Sequence, residues 1–317
     1  MGDLELSSKP STFKGRRLSF IGGNNMNKKI FLEKMTDRTR MFLSDSDLDR
    51  IKNQTVALAG LGGVGAIVLE LLARLGVMKF RLMDMDRYEI SNMNRQLFAT
   101  IDTLGKWKVD VAASRIKEIN PYAEIETLIR EKANRENVDN FLRGVDILIQ
   151  ETDSPSSKFL FLEYARRYKI PVINGHCESI TSGVVHIYDY RDPKQRDGYR
   201  IFRSSILSRI ARKLLDKKTL DEVNDEYLDL LDKCKKPTAS LNFVTNLIGC
   251  LVVSEMVKLL TESGKTYTHP KEIFIDLYDL KLKIRTTRPL KKWLTLLLKV
   301  PRERLRRSKI TLNEVEL

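Results

Sequence analysis

Gly60-Leu61-Gly62-Gly63-Val64-Gly65 is the stretch whose spacing says most about the chemistry of this chain. It fits G-x-G-x-x-G, follows the apolar run Thr55 to Ala59, and precedes Ile67, Leu71, Leu72 and Leu75 at helical spacing. At such a strand-to-helix turn the missing Cβ atoms let backbone N–H groups approach a phosphate at the positive end of the helix. Asp84, nineteen residues after Gly65 at the end of the next apolar run, suits a carboxylate that accepts both ribose hydroxyls. Ala66 follows Gly65 where a Walker loop needs Lys and then Ser or Thr, so that motif is excluded. Alone, the pattern fits any dinucleotide enzyme, or a glycine turn that binds nothing.

The residues after Asp84 narrow the choice. DMDRYEISNMNRQ and then GKWK put Asn92, Arg95, Gln96 and Lys108 just past the second strand. A nicotinamide enzyme has no need of a cation pair there. Two cations and an amide beside a nucleoside pocket suit a triphosphate, whose leaving pyrophosphate must be neutralised.

Together, GLGGVG, Asp84-Met85-Asp86, Asn92-Met93-Asn94-Arg95-Gln96, Gly105-Lys106-Trp107-Lys108 and Thr152-Asp153 resemble the ThiF/MoeB/HesA superfamily of ubiquitin-activating-type adenylating enzymes. The resemblance is strong over about 36–190 and weak over 236–280. It implies ATP as cosubstrate, with Gly60, Gly62, Gly63 and Gly65 at the nucleotide and Asp84 on the ribose. It further implies Asn92, Arg95 and Lys108 on the phosphates with Gln96 beside them, and Asp153 on Mg2+. A substrate carboxylate then attacks the α-phosphorus, giving an acyl adenylate and pyrophosphate, while Arg95 and Lys108 take up the developing charge. The family also draws an arginine from the partner subunit's N-terminal helix. Arg38 and Arg40 occupy that stretch, which implies a homodimer. Asp153 has a competing reading as the cap of the helix that TDSPSS opens.

Departures from the family pattern matter as well. No C-x-x-C pair occurs, so no zinc is expected. Cys234, among Lys233, Lys235 and Lys236, is a candidate for a thioester-forming thiolate or an incidental exposed thiol. Cys177 and Cys250 read as buried, and His176, His186 and His269 lack metal spacing and read as structural.

The elements that must position these residues alternate along the chain. Residues 1–35 read as a loose extension, followed by a helix from Asp37 through Ile51. Strands are predicted at Thr55 to Ala59, Phe80 to Met85, Glu124 to Ile129, Val145 to Glu151, Pro171 to Asn174, 183–190 and Glu272 to Leu280. Helices are predicted at Ala66 to Gly76, Trp107 to Ile119, Ser156 to Tyr168 and Leu241 to Leu260. That order argues for an α/β, Rossmann-like, doubly wound and mostly parallel sheet with helices on both faces, the ThiF-type nucleotide-binding fold. One adenylation domain would span 36–288, including a charged crossover at about 191–236, and 289–317 would form a basic amphipathic tail.

Of the 317 residues, 42% are apolar and 31% charged, which excludes a disordered or fibrous chain. The apolar stretch Leu241 to Val253 is too short to span a bilayer and reads as a buried helix. MGDLELSSKP lacks a signal-peptide layout, and three cysteines make no disulfide framework, so a cytoplasmic location is expected. The net charge of +14 is localised: 281–317 holds twelve Lys and Arg against three Glu, and 191–218 ten basic against three acidic residues. In the tail Trp293, Leu296, Leu297 and Val300 share one helical face, flanked by Lys291, Lys292 and Lys299. Such a segment suits an anionic membrane surface, tRNA, an acidic partner or packing on its own domain.

The leading expectation is an adenylyltransferase acting on the C-terminus of a small ubiquitin-like or sulfur-carrier protein. The alternatives are an enzyme resembling the threonylcarbamoyladenosine dehydratases that modify tRNA, and a nucleotide-binding scaffold without turnover.

Overall fold

The computed structural model describes residues 27–195, 232–233 and 239–287. Its first helix, α1 (Lys28–Met35), starts where the Asn27 side chain accepts the Ile30 N–H. The expected loose extension is thus helical at its inner end, and 1–26 lie outside the described residues. The expected helix from Asp37 to Ile51 is split into a 3-10 turn, Thr39–Met41, and α2 (Asp45–Lys52). Ser44 causes the break: it caps α2 and forms a reciprocal capping box with Asp47, which ends one helix to begin another.

The chain then alternates through β1 (Thr55–Ala59), α3 (Gly63–Leu75), β2 (Lys79–Met83), α4 (Lys108–Ile119), β3 (Glu124–Ile129), α5 (Arg135–Leu142) and β4 (Ile147–Gln150). It continues with α6 (Pro155–Tyr168), β5 (Pro171–Cys177), β6 (Ser182–Asp189), α7 (Asn242–Thr261), β7 (Lys271–Asp276) and β8 (Lys281–Thr286). The expected final strand, Glu272 to Leu280, is instead a hairpin. Its chain turns at 277–280, with Leu280 at a φ of 49°, and β8 pairs back on β7.

The eight strands form one sheet in the order β3-β2-β1-β4-β5-β6-β7-β8. The first four pairings are parallel and the last three antiparallel. Helices cover both faces. Val56 and Leu58 pack with α3, α4 and α7, while Ala57 and Ala59 pack with α5 and α6. Successive β1 side chains therefore feed two different cores, which is why this strand reads as a continuous apolar run.

α7 is twenty residues long, longer than the apolar stretch seen in sequence, and by length and composition alone it would cross a membrane. Here Val244, Ile248, Val252 and Met256 are buried in the core shared with α3 and the sheet. Glycines admit it: a Cβ on Gly183 would lie 2.2 Å from Ile248 Cδ1. The opposite side of α7 leaves Cys250 exposed, against expectation. The tail 289–317 and most of the crossover lie outside the described residues.

Truncating fully buried Ile248 to Ala should cost about 2–5 kcal/mol, read as a lowered urea midpoint. Gly183→Ala should destabilise by overpacking, and adding Ile248→Val should recover part of that loss. Strict additivity of the two changes would refute the packing contact.

Candidate functional site

The order of strands reverses between β1 and β4, the place at which open α/β sheets bind ligands outside the carboxyl ends of their strands. Both ends run directly into the residues singled out in sequence. β1 leads into Gly60, whose N–H bonds the Met83 carbonyl at 2.8 Å and whose φ is 92°. A Cβ at Gly60 would lie 2.6 Å from the Glu151 carbonyl and 2.7 Å from the Thr152 nitrogen, so the turn and the end of β4 meet backbone to backbone. At Gly65 a Cβ would lie 1.9 Å from the Gly60 carbonyl oxygen, which closes the turn onto the first coil of α3. Gly62 caps α3 without a side chain. The positive end of that helix is therefore left to a ligand anion rather than to a capping carboxylate.

Asp84 leaves β2 beside this turn. Its Oδ2 accepts the Leu61 N–H at 2.6 Å and its Oδ1 the Asp86 N–H at 2.9 Å. Burial pushes its carboxyl above the ordinary range, against the nearby Lys108 charge and those two N–H groups. Gln96 is buried, its Oε1 has no partner among the described residues, and its amide nitrogen lies 3.8 Å from a Cβ position on Gly62. A buried carbonyl next to the helix end is an acceptor that a ligand or a water would satisfy.

The segment from 86 to 108 is tied together at its two ends. Tyr88 donates its N–H to the Lys106 carbonyl at 3.0 Å, Gly105 to Tyr88 at 2.9 Å, and Lys108 to Asp86 at 3.0 Å. The Arg87 guanidinium lies 3.9 Å above the Trp107 ring. Lys108, only 5% exposed, donates its ammonium to Asp86 Oδ2 at 2.8 Å. Asp86, a motif residue with no role legible in the sequence, is the counter-ion of the buried lysine. Asn92 is held in its own 3-10 turn, its Oδ1 accepting the Glu89 N–H at 3.2 Å. Half-buried Arg95 donates to the Ser91 carbonyl at 2.9 Å and to Asn94 Oδ1 at 2.8 Å.

On the β4 side, Asp153 is exposed and immediately precedes Ser154. Ser154, not Asp153, caps α6 by accepting the Ser157 N–H. Glu151 was missed by sequence reasoning. Its Oε1 accepts the Gly175 N–H at 2.9 Å and its Oε2 has no partner among the described residues. Burial holds this carboxyl well above its ordinary value, outweighing the Gly175 bond and the Lys158 charge. Cys177, at the end of β5, is half-buried rather than buried. Burial pushes its thiol up and Glu151 adds to that, while a Ser240 hydrogen bond and the Arg95 charge oppose it.

Two arginines do not join this group. Arg40 pairs with Asp45 Oδ1 at 2.5 Å and lines a cavity of about 880 Å³ with Lys79 and Glu124. Those two residues begin β2 and β3, so Arg40 stands at the amino edge of the sheet, away from the glycine turn of its own chain. Arg38 precedes the same 3-10 turn. Cys234 lies outside the described residues. The three histidines do share a place: His176 stacks on His186 at 5.5 Å, and His186 lies 6.3 Å from His269.

Asp84 gives a pH test. A carboxyl raised in the folded state favours folding while protonated, and that contribution is lost as pH climbs from 3.8 through the folded value. The stability of the wild type relative to Asp84→Asn should therefore fall as pH rises above 3.8 in paired urea titrations. A difference independent of pH would mean that the folded Asp84 carboxyl is not raised.

Among curated proteins, the tRNA threonylcarbamoyladenosine dehydratase of Haemophilus influenzae is 38% identical over 135 residues, covering 42% of this chain and 51% of the relative. Ubiquitin-like modifier-activating enzyme 5 of Drosophila persimilis is 40% identical over 114 residues, covering 36% and 29%. The molybdopterin-synthase adenylyltransferase of Haemophilus influenzae is 25% identical over 237 residues, covering 74% and 86%. The chain spans about half the length of the dehydratases it matches. The solved structure of PaaA shares the fold, with a TM-score of 0.60 at 22% identity over 88% of this chain and 77% of that one. Residues 36–293 match the ThiF family across glycine turn, cation frame and hairpin alike, and the chain belongs to that family.

Proposed function

We propose that this protein is an ATP-dependent adenylyltransferase that activates a carboxylate, the C-terminus of a ubiquitin-like or sulfur-carrier protein, as an acyl adenylate. The observation that carries the reading is the convergence on one site of an uncapped helix end, a ribose-suited Asp84, and the cations Arg95 and Lys108. That set answers a nucleoside triphosphate rather than a dinucleotide. The molybdopterin-synthase adenylyltransferase covers most of this chain, and the ubiquitin-like modifier-activating enzyme is 40% identical over the shared segment.

In this reading the substrate carboxylate attacks the α-phosphorus and pyrophosphate leaves. Lys108 has only to turn from Asp86 to a phosphate oxygen, an exchange of one anionic partner for another within a fixed frame. Arg95 meets the second developing charge, and Asp84 fixes the ribose. The exposed carboxylate of Asp153, next to a triphosphate site, fits Mg2+, which is held by one or two carboxylates and substrate phosphates rather than by a protein cage. Bound there, the ion would neutralise phosphate charge. The cytoplasm and a homodimer with Arg38 or Arg40 reaching the neighbour's site belong to the same proposal.

A second reading draws on the 38% identity to a tRNA threonylcarbamoyladenosine dehydratase. The substrate would then be a carboxylate on a modified tRNA base, and the basic segments would hold the nucleic acid.

ATP–pyrophosphate exchange that requires a carrier protein ending in Gly-Gly is the expected outcome, and Asp153→Ala should abolish it while leaving metal-free ATP binding within about twofold. Exchange that requires tRNA instead would establish the second reading. Mixing Asp153→Ala with the double variant Arg38→Ala, Arg40→Ala should restore about a quarter of the sites, since half the dimers are mixed and each has one intact site. No rescue would remove the arginines from the partner's site.

A further inference from the structure

The N-terminus of α6 is held by a carboxylate from far along the chain. Asp232 Oδ2 accepts the Ser154 hydroxyl at 2.8 Å, its Oδ1 accepts the Ser156 N–H at 3.1 Å, and its Oδ2 also accepts the Ser156 hydroxyl. The Lys132 ammonium reaches the same oxygen at 3.2 Å, and the Asp232 side chain is only 14% exposed. Burial alone would raise this carboxyl. The bonds from Ser156, Ser154 and Lys132 outweigh it and hold it below the ordinary range.

These bonds complete the account of the helix end. A helix leaves its first N–H groups without partners inside the helix. In α6 Pro155 has no N–H to satisfy, Ser157 donates to Ser154 Oγ, and Ser156 donates to Asp232. α6 has no acidic residue in its own first turn, so Asp232 supplies the negative charge that the positive end favours.

The position of this clamp gives it a consequence. Glu151 and Thr152 are pressed against Gly60, and Glu151 donates its N–H to the Ala59 carbonyl at 2.7 Å. Ser154 and Ser156 are tied to Asp232. Asp153 is the single residue between these two anchors. One anchor is backbone packing within the sheet. The other is a side chain from the crossover.

We infer that Asp232 is a positioning residue for Asp153, fixing the carboxyl-side anchor so that the Asp153 carboxylate is presented to a divalent cation at the glycine turn. The inference rests on the reading of Asp153 as the Mg2+ ligand. Residues that orient a ligand from behind typically change metal affinity by about 10–100-fold when removed. Their effect falls on the metal and not on the nucleotide, because none of the atoms held by Asp232 belongs to the glycine turn, Asp84, Arg95 or Lys108.

The test is Mn2+ titrated, by its electron paramagnetic resonance signal, into protein loaded with a non-hydrolysable ATP analogue. Asp232→Ala should weaken Mn2+ by roughly tenfold while metal-free analogue affinity stays within about twofold. Asp232→Asn, which keeps an acceptor for the Ser156 N–H, should recover part of that loss. Ser156→Ala, which removes one hydroxyl and leaves the helix intact, should give a smaller loss and covers the case in which Asp232→Ala does not fold. Unchanged Mn2+ affinity in both Asp232→Ala and Ser156→Ala overturns the inference. Equal losses of Mn2+ and metal-free nucleotide affinity also overturn it, since a merely structural residue would act that way. If Asp153→Ala itself leaves Mn2+ affinity unchanged, the assignment of the ligand has failed, a result distinct from failure of the clamp.

Discussion

Where β1 and β4 end, Gly60 packs against the backbone of Glu151 and Thr152 at a separation that leaves no room for a Cβ. This contact holds the two strand ends together. It lets β1 turn sharply enough for Gly65 to sit over the Gly60 carbonyl and for α3 to start at once. It also determines where the chain after β4 runs, and so where Asp153 stands. Any side chain at Gly60 would push the two strand ends apart and open the site from its floor. The rest of the edge is assembled on this approach of two backbones.

Charges around the site are held rather than left loose. Lys108 is buried against Asp86, Arg95 is tied to its own turn, and Asp84 is fixed by two N–H groups. Side chains held this way lose little further freedom when a ligand arrives, which is the physical meaning of preorganisation. The desolvation of these ionic groups costs stability. The two apolar cores on either side of the sheet offset it, because almost every side chain of β1 and β4 is fully buried. Two half-buried acids, Asp84 and Glu151, sit at carboxyl values above their ordinary range for the same reason.

Much of this was legible in the residue pattern. The glycine turn, Asp84 and the Lys108 motif have local causes: a turn without Cβ atoms, a strand ending in a carboxylate, a short loop before a helix. The strand, helix and strand order fixed the doubly wound arrangement, because parallel neighbours need a helical crossover. Local signals were weaker where a cap competed with periodicity. The apolar spacing of Phe42, Leu48 and Ile51 suggested one helix, but Ser44 and Asp47 satisfy a new helix end there and divide it. The run from Glu272 to Leu280 gave no sign of its turn, which carries Leu280 rather than glycine in the left-handed region.

By itself the sequence determined which residues could bind a triphosphate and in what order the elements come, since both follow from side-chain chemistry and hydrogen-bond periodicity along the chain. Tertiary structure alone decided which of those residues meet. Arg40 went to the amino edge while Lys108 went to the carboxyl edge, because the parallel topology sends every strand end to one side or the other. It also decided that the Glu151 carboxylate meets the Gly175 N–H and that Asp232 closes a helix end 76 residues away. Contacts at that separation depend on how the sheet folds the chain back on itself, and no local pattern of residues encodes them.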